Sequence, residues 1–593
     1  MKQDSITRVE NLRTFMKAQQ LDAFILPSTD AHLSEYPPAH WKSREWISGF
    51  NGSAGVAVVT LTAAALWTDS RYFIAADQQL EGTPFELMKD GLEGTPTIAA
   101  WLASTLPSGC QVGLDGEVNS HSFITHLRQE LTAHGITVET NLNPIAELWN
   151  DRPPLPTDEV KIQSLAEAGV SCREKLAALR AVMESKGTEA LLVSALDEVA
   201  WLLNLRGTDV PCNPVFVSYV LVTQQHTLLY INKIKVSEEV ESYLQGEGVN
   251  LRPYAAIYKD LMLLSLNNIL LSENINEAIY TANLKAKPIL SPSPLAAMKA
   301  IKNETEIEGF KKAMLRDGVA MIKFLRWLKP AVEAGGETEL SVSKKLSALR
   351  AEQPRYCEDS FETISAYQAH AALVHYEPTP ATDSPLRPEG ILLLDSGAQY
   401  EDGTTDITRT LNLGGTPTDE QKHDYTLVLK GHIQLSRCKF PEGASGTQLD
   451  ICARYAMWQE GRNFGHGTGH GVGSHLCVHE GPHQIRMNYM PAPLKAGMTV
   501  TNEPGLYLEG KYGIRIENTL LVVPFKETEF GTFVGFEPLT LCPLDTTLIE
   551  RSMLSVDEVA WINDYHFTVR NLLIPLLTAE ERRWVEEATR PIL

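Results

Sequence analysis

Two proline-rich stretches cut this chain into blocks. The first reads Asp151-Arg152-Pro153-Pro154-Leu155-Pro156, and the second runs from Pro288 through Ser291-Pro292-Ser293-Pro294. Proline removes a backbone donor and biases its preceding residue toward extended backbone, so such runs interrupt regular structure. We read both as domain boundaries, which gives domains at residues 1–150, 157–298 and 299–593. A chain of 593 residues needs such a division, because single hydrophobic cores stop growing at about 250–300 residues.

The first two blocks resemble each other. Leu21-Asp22-Ala23-Phe24-Ile25-Leu26 reads as a buried strand, followed by a helical stretch to Trp46-Ile47-Ser48-Gly49-Phe50 and a strand at Val56-Ala57-Val58-Val59. In the second block Glu189-Ala190-Leu191-Leu192-Val193 is followed by Asp197 to Gly207 and a strand near Val217 to Val222. Strand-length apolar runs alternating with helical periods predict two α/β domains of one type, consistent with a duplication. In the third block Asn303 and Glu306 have capping-box spacing, predicting a long amphipathic helix to about Trp327. The segments after it are β-rich: Ile391 to Leu394, Thr404 to Leu413, Thr499 to Thr501 and Ile514 to Val523. This block is expected to be α+β.

All the chemistry we find lies in that block. In residues 390–406 an apolar strand ends in Asp395, and an Asp402-Gly403 turn leads to a second strand carrying Asp406. A hairpin there brings the two acids together. Adjacent carboxylates repel, and one must take up a proton unless a divalent cation lies between them. Residues 465–473 place His466 and His470 among glycines, which let backbone approach a site closely. No Walker lysine or G-x-G-x-x-G phase accompanies them, so a phosphate loop is discounted. Glu503 precedes Pro504 in extended backbone, and alternation along residues 513–518 puts Ile514 and Ile516 on one face with Arg515 and Glu517 on the other.

Two Asp, two Glu and one His in such settings fit a dinuclear metal site. Four carboxylates balance two divalent ions, a bridging water between those ions becomes a nucleophile at neutral pH, and the metals polarise a scissile carbonyl. Oxygen-rich ligation with one imidazole fits Mn²⁺ better than thiolate-seeking ions, with Zn²⁺ and Co²⁺ as alternatives. His479-Glu480-Gly481-Pro482-His483 matches the HExxH pattern of zinc proteases. Gly481-Pro482 would break the helix that pattern needs, so we set it aside. No Gly-x-Ser-x-Gly elbow supports a serine hydrolase.

Composition narrows the partners. The net charge of −22 disfavours nucleic acid and acidic lipid, and no segment approaches the ~20 apolar residues of a membrane helix. Eight cysteines without CxxC spacing argue against a disulfide frame and for reduced thiols. The polar opening Met1-Lys2-Gln3-Asp4-Ser5 has no apolar stretch of signal-peptide type, so a cytoplasmic location is expected.

The Asp/Asp/His/Glu/Glu series resembles the pita-bread metallopeptidases, which include methionine aminopeptidases, prolidases and aminopeptidase P. The nearest likeness is to three-domain Xaa-Pro aminopeptidases. It spans Asp30-Ala31-His32 with Ser34-Glu35-Tyr36, residues 48–55, residues 67–73, residues 467–473 with 478–482, and residues 561–566. The implied architecture is a multidomain α/β and α+β chain. Two creatinase-N-terminal-like α/β domains precede a pita-bread α+β metallopeptidase domain with a C-terminal helical extension. By that resemblance Asp395 binds one metal, His470 and Glu503 bind the other, and Asp406 and Glu517 bridge both. It also implies that His375 and His479 touch substrate or stabilise the tetrahedral intermediate, that His466 lines the pocket, and that Glu503 takes the nucleophile's proton. Arg71 is implied to reach the site from its own or a partner subunit, and the family is expected to form homodimers. Asn51 stands where Asp is common, and Ala369-His370-Ala371 replaces a small-polar stretch, which bears on substrate preference.

The implied activity is hydrolysis of the N-terminal Xaa-Pro bond of peptides with proline second. The rivals are a prolidase restricted to Xaa-Pro dipeptides, a non-catalytic peptide-binding protein and a creatinase-like amidinohydrolase. The five intact ligand positions disfavour the last two.

Overall fold

The computed structural model describes residues 2–282 and 285–593. Its contacts divide the chain into two compact units: Met1–Ile162 with Val170–Leu295, and Gln163–Gly169 with Ala296–Leu593. The second proline-rich stretch is not bare linker. Pro288 lies in the outermost strand of a sheet, Lys287–Ser291, the position at which a strand tolerates proline, and the next helix, Pro294–Ala300, opens on proline.

The N-terminal unit holds two six-stranded sheets with one topology. In the first, the central strand Ala23–Pro27 pairs antiparallel with Val56–Thr60 and parallel with Gln111–Leu114. The second repeats this around Ala190–Val193, antiparallel to Ser218–Thr223 and parallel to Asn268–Ser272. The outer strands follow in the same order and sense in both. Strands enclosed on both faces read as unbroken apolar runs. Accordingly Phe24 and Leu26 enter one buried cluster, while Ala23 and Ile25 enter another on the opposite face.

The C-terminal unit opens with the helix Glu304–Ala334. Asn303 caps it in a reciprocal box with Glu306, each side chain 3.0 Å from the other's backbone nitrogen. The helix runs past Trp327 and through Pro330, because Val332 in its last turn is buried in a core cluster. The strand Gly390–Ser396 lies between Ile364–Tyr367 and Ile407–Gly414, antiparallel to both. A second sheet orders Lys439–Pro441, Gly531–Pro538, Asn518–Thr528 and Thr499–Asn502. Helices Asp419–Ser436 and Gly446–Trp458 pack on each other, and Val556–Leu573 and Ala579–Ala588 end the chain.

Candidate metal centre

Each expected donor stands at or beside a strand end. Asp395 is the penultimate residue of Gly390–Ser396, opposite Thr408, and Asp406 immediately precedes Ile407–Gly414. His470 is central in the short strand Gly469–Gly471. Glu503 follows Thr499–Asn502. The strand expected to run from Ile514 to Val523 is broken: Tyr512–Arg515 ends before Glu517 and Asn518–Thr528 begins after it. The break frees Glu517 from one ladder, and its N–H donates instead to Thr408 O at 3.0 Å. Gly469 shows why glycines flank the histidine, since a Cβ there would lie 1.9 Å from Thr501 O on the adjacent strand.

These elements bring the donors together. Ligand atoms of Asp406, His470 and Glu517 lie within 4.8 Å of one another. His470 Nε2 is 3.5 Å from Asp406 Oδ2 and 3.3 Å from Glu503 Oε1. The other ring nitrogen, Nδ1, lies 2.9 Å from Gly471 O. A proton on Nδ1 satisfies that carbonyl and turns the Nε2 lone pair toward the carboxylates, the tautomer a metal ligand needs. Thr408 Oγ1 donates to Glu517 at 2.7 Å and Thr501 Oγ1 to Glu503 at 3.1 Å, fixing both carboxylates.

The electrostatics of this cluster call for more positive charge. Burial, then the neighbouring carboxylates, push Asp406 and Glu517 well above the usual range. Burial pushes Glu503 up to about 7, with Arg515 opposing. Arg515 Nη2 donates to Asp395 Oδ2 at 2.7 Å, while the buried Asp395 Oδ1 has no hydrogen-bond partner. An orphaned carboxylate oxygen among buried acids whose charged forms burial disfavours fits a divalent-metal site, and the one-imidazole, four-carboxylate donor set suits hard or borderline cations.

Behind the donors lies support that sequence reasoning missed. Arg515 Nη1 donates to Tyr507 Oη at 2.8 Å, and Tyr507 Oη lies 2.7 Å from His466 Nε2. His466 Nδ1 lies 2.7 Å from Gly467 O, so both ring nitrogens are engaged. Buried Arg409 donates to Glu517 O at 2.6 Å and to Tyr565 Oη at 2.9 Å, tying the site to the helix Val556–Leu573. His566 Nε2 accepts from Leu544 N at 3.0 Å. The motif at 561–566 therefore supports the site from behind. No sequence signal marked Arg409, Thr408 or Tyr507, whose partners lie elsewhere in the chain.

The remaining expected residues are distributed as follows. The His479 ring is half-buried, 4.3 Å from the His470 ring. His375 is half-buried, three residues beyond the short helix Gln368–Ala372, which packs on the strands Gly390–Ser396 and Tyr512–Arg515. A Cβ on Gly513 would meet Ala371 O at 1.8 Å, so that packing requires glycine. His483 is no partner to His479 on a helix: it lies buried in the strand Glu480–Ile485, with Nε2 2.7 Å from Thr499 O. Arg71 belongs to the N-terminal unit, where Asp69 holds it through two contacts of 2.9 and 2.8 Å and Glu35 lies at 3.4 Å.

Comparison with known proteins matches residues 308–524 to the model of metallopeptidase family M24 and residues 532–592 to the C-terminal region of that peptidase. Residues 8–147 and 151–306 each match a creatinase/prolidase N-terminal domain. The chain is 40% identical to Xaa-Pro aminopeptidase 1 of Dictyostelium discoideum, across 99% of this chain and 96% of that protein. The chain belongs to metallopeptidase family M24. A second M24 relative, aminopeptidase P1 of Arabidopsis thaliana, is 39% identical over 98% of this chain and 99% of its own length. Among solved structures, the X-prolyl aminopeptidase of Caenorhabditis elegans, described as a cytosolic enzyme with a di-nuclear active site, superposes with a TM-score of 0.95. It is 35% identical, covering 99% of this chain and 100% of that one. The Xaa-Pro dipeptidase of Bacillus anthracis is 25% identical with a TM-score of 0.51, covering 63% of this chain and 99% of its own. The two creatinase N-terminal domains and the pita-bread catalytic domain are thus the chain's architecture. Among the described residues no helix is long and apolar enough to cross a membrane.

Proposed function

We infer that this M24 member is a metal-dependent Xaa-Pro aminopeptidase, releasing the first residue of peptides whose second residue is proline. The observation that carries the reading is the clustering of Asp406, His470 and Glu517, with Glu503 3.3 Å from His470 and Asp395 facing the same carboxylates, in a chain that aligns over its full length with proteins named Xaa-Pro aminopeptidase. Likeness over nearly the whole length of proteins named Xaa-Pro aminopeptidase favours the aminopeptidase over a prolidase.

Asp395, Asp406, His470, Glu503 and Glu517 would hold two divalent ions, most suitably Mn²⁺. When bound, the ions supply Lewis acidity toward the scissile carbonyl and make water a nucleophile near neutral pH. The protein's own groups do the rest. Glu503 takes a proton from the attacking water and delivers it to the departing proline nitrogen, which has no hydrogen of its own in the peptide. His479, beside His470, and His375 donate to the charge that develops on the carbonyl oxygen. His466, fixed by Tyr507 and Gly467, lines the pocket beside the reacting groups. The enzyme acts as a homodimer in the cytoplasm. The exposed row Ile451, Tyr455 and Trp458 along one helix supports the dimer, and the cytosolic Caenorhabditis enzyme supports the location.

The test is hydrolysis of Arg-Pro-Pro and Ala-Pro by protein stripped of metal and then supplied with Mn²⁺. Arginine released from the tripeptide only after metal is restored supports the aminopeptidase; cleavage of Ala-Pro alone assigns a prolidase. No turnover with any divalent ion leaves a peptide-binding protein.

A further inference from the structure

The His479-Glu480 pair contains a residue that the reaction as described does not use. Glu480 opens the strand Glu480–Ile485 and is 2% exposed. Two ammonium groups grip its carboxylate: Lys299 Nζ lies 2.6 Å from Oε2, and Lys302 Nζ contacts Oε1. Both lysines are buried, and Glu306 adds attraction for Lys302. Two cations on one carboxylate is a costly arrangement away from water. A buried ion group of this kind is weak evidence for stability and is better explained by the registry it imposes.

Registry needs such a device here. Among the described residues Glu480–Ile485 pairs with the three-residue strand Gly469–Gly471 alone, and that ladder is irregular. His470 faces Gln484, yet the next residue, Gly471, faces Glu480. Main-chain pairing over so short and broken a ladder specifies register poorly, and a one-residue slip would exchange the positions of His479 and Glu480. The lysines are themselves fixed to the sheet that carries a metal ligand. Lys302 N donates to Gly497 O at 2.9 Å, and Ile301 bridges Met498, directly before the strand Thr499–Asn502 that leads to Glu503.

We propose that the Lys299–Glu480–Lys302 clamp sets the register of residues 479–485 against the metal-bearing strands and is the positioning device for His479. The proposal rests on the reading of His479 as a substrate-facing group. Glu480 acts through its neighbour and touches no reacting atom.

The experiment is a double-mutant cycle on the metal-loaded enzyme with Arg-Pro-Pro, using Glu480→Gln, His479→Ala and the pair together. A misplacement of about 1 Å at a catalytic group costs up to ~10²-fold. Glu480→Gln is therefore expected to lower kcat at least about tenfold, with KM and bound metal per chain unchanged. In the His479→Ala background the same substitution should cost less than about twofold, because the group it positions is gone. Glu480→Asp should recover part of the loss. Lys302→Met, which leaves Glu480 paired with Lys299, should lower kcat in the same sense and serves if Glu480→Gln does not fold. An undiminished kcat in Glu480→Gln, or a loss repeated in full without His479, overturns the clamp. Parental kcat in His479→Ala overturns the reading of His479 and the clamp with it, leaving the assigned peptidase activity untouched.

Discussion

Arg515 and Asp395 form a buried ion pair, 2.7 Å from Nη2 to Oδ2, at the edge of a cluster of four carboxylates. Removing one member of a buried pair costs about 3–5 kcal/mol, because the other charge is left uncompensated. Arg515→Met should therefore destabilise the metal-free protein by roughly that amount. Mn²⁺ should recover most of the loss by returning positive charge to the same carboxylates. Thermal melting with and without Mn²⁺ checks this, and an equal loss in both conditions would contradict it.

Substitution at Asp406 has the opposite sign in the two states. Its carboxyl is buried against Asp395 and Glu503, which disfavours its charge. Asp406→Asn relieves that repulsion and should stabilise the metal-free protein by on the order of 1 kcal/mol, seen as a higher melting temperature. The variant should also lose metal binding and turnover. Metal content by elemental analysis and melting in chelator provide the two readings.

Tyr507 joins Arg515 to His466 through its hydroxyl. Tyr507→Phe keeps the ring and removes both bonds, and hydrogen bonds to charged groups are worth about 1.5–3 kcal/mol. The corresponding expectation is a fall in kcat/KM of roughly 10- to 100-fold with metal content retained. Steady-state kinetics on Arg-Pro-Pro decides it.

Acid should loosen the C-terminal unit through its buried neutral histidines. His566 is held down to about 4 by burial, with Arg409 and Arg570 adding to the effect. A histidine whose folded pKa lies below its unfolded value near 6.5 contributes stability that is fully present above about pH 6.5 and is lost as pH falls toward 4. The shift corresponds to about 3 kcal/mol at its limit. His566→Gln should flatten the pH dependence of melting between pH 6.5 and 4, and an unchanged slope would exclude His566 as its source.

The convergence of Asp406, His470 and Glu517 was legible because each is a residue type that burial penalises, with His470 set between glycines and Asp406 close after the Asp402-Gly403 turn. The hairpin around Asp402-Gly403 and the Asn303–Glu306 cap were legible for a related reason, since each is decided within a few residues. Arg409 and Arg515 were not. Their partners lie more than 100 residues away for Glu517 and Asp395, and strand alternation says which face a side chain takes without saying what it meets there. The helix was expected to end near Trp327 but runs through Pro330, a residue that disfavours helix locally, because Val332 beyond it is held by the core. The break at Ile516-Glu517 was hidden because strand-forming segments flank it on both sides, although the polar run Glu517-Asn518-Thr519 marks the place.

The candidate metal donors are spread from Asp395 to Glu517, and Arg409, which donates to Glu517 O, also donates to Tyr565 Oη. A ribosome making this chain therefore releases the first ligand long before the last, and no shorter nascent segment presents a complete set. Metal held by all five positions would follow translation through Glu517. Such metal would report that segments more than 100 residues apart in the chain have met, as Arg515 and Asp395 do.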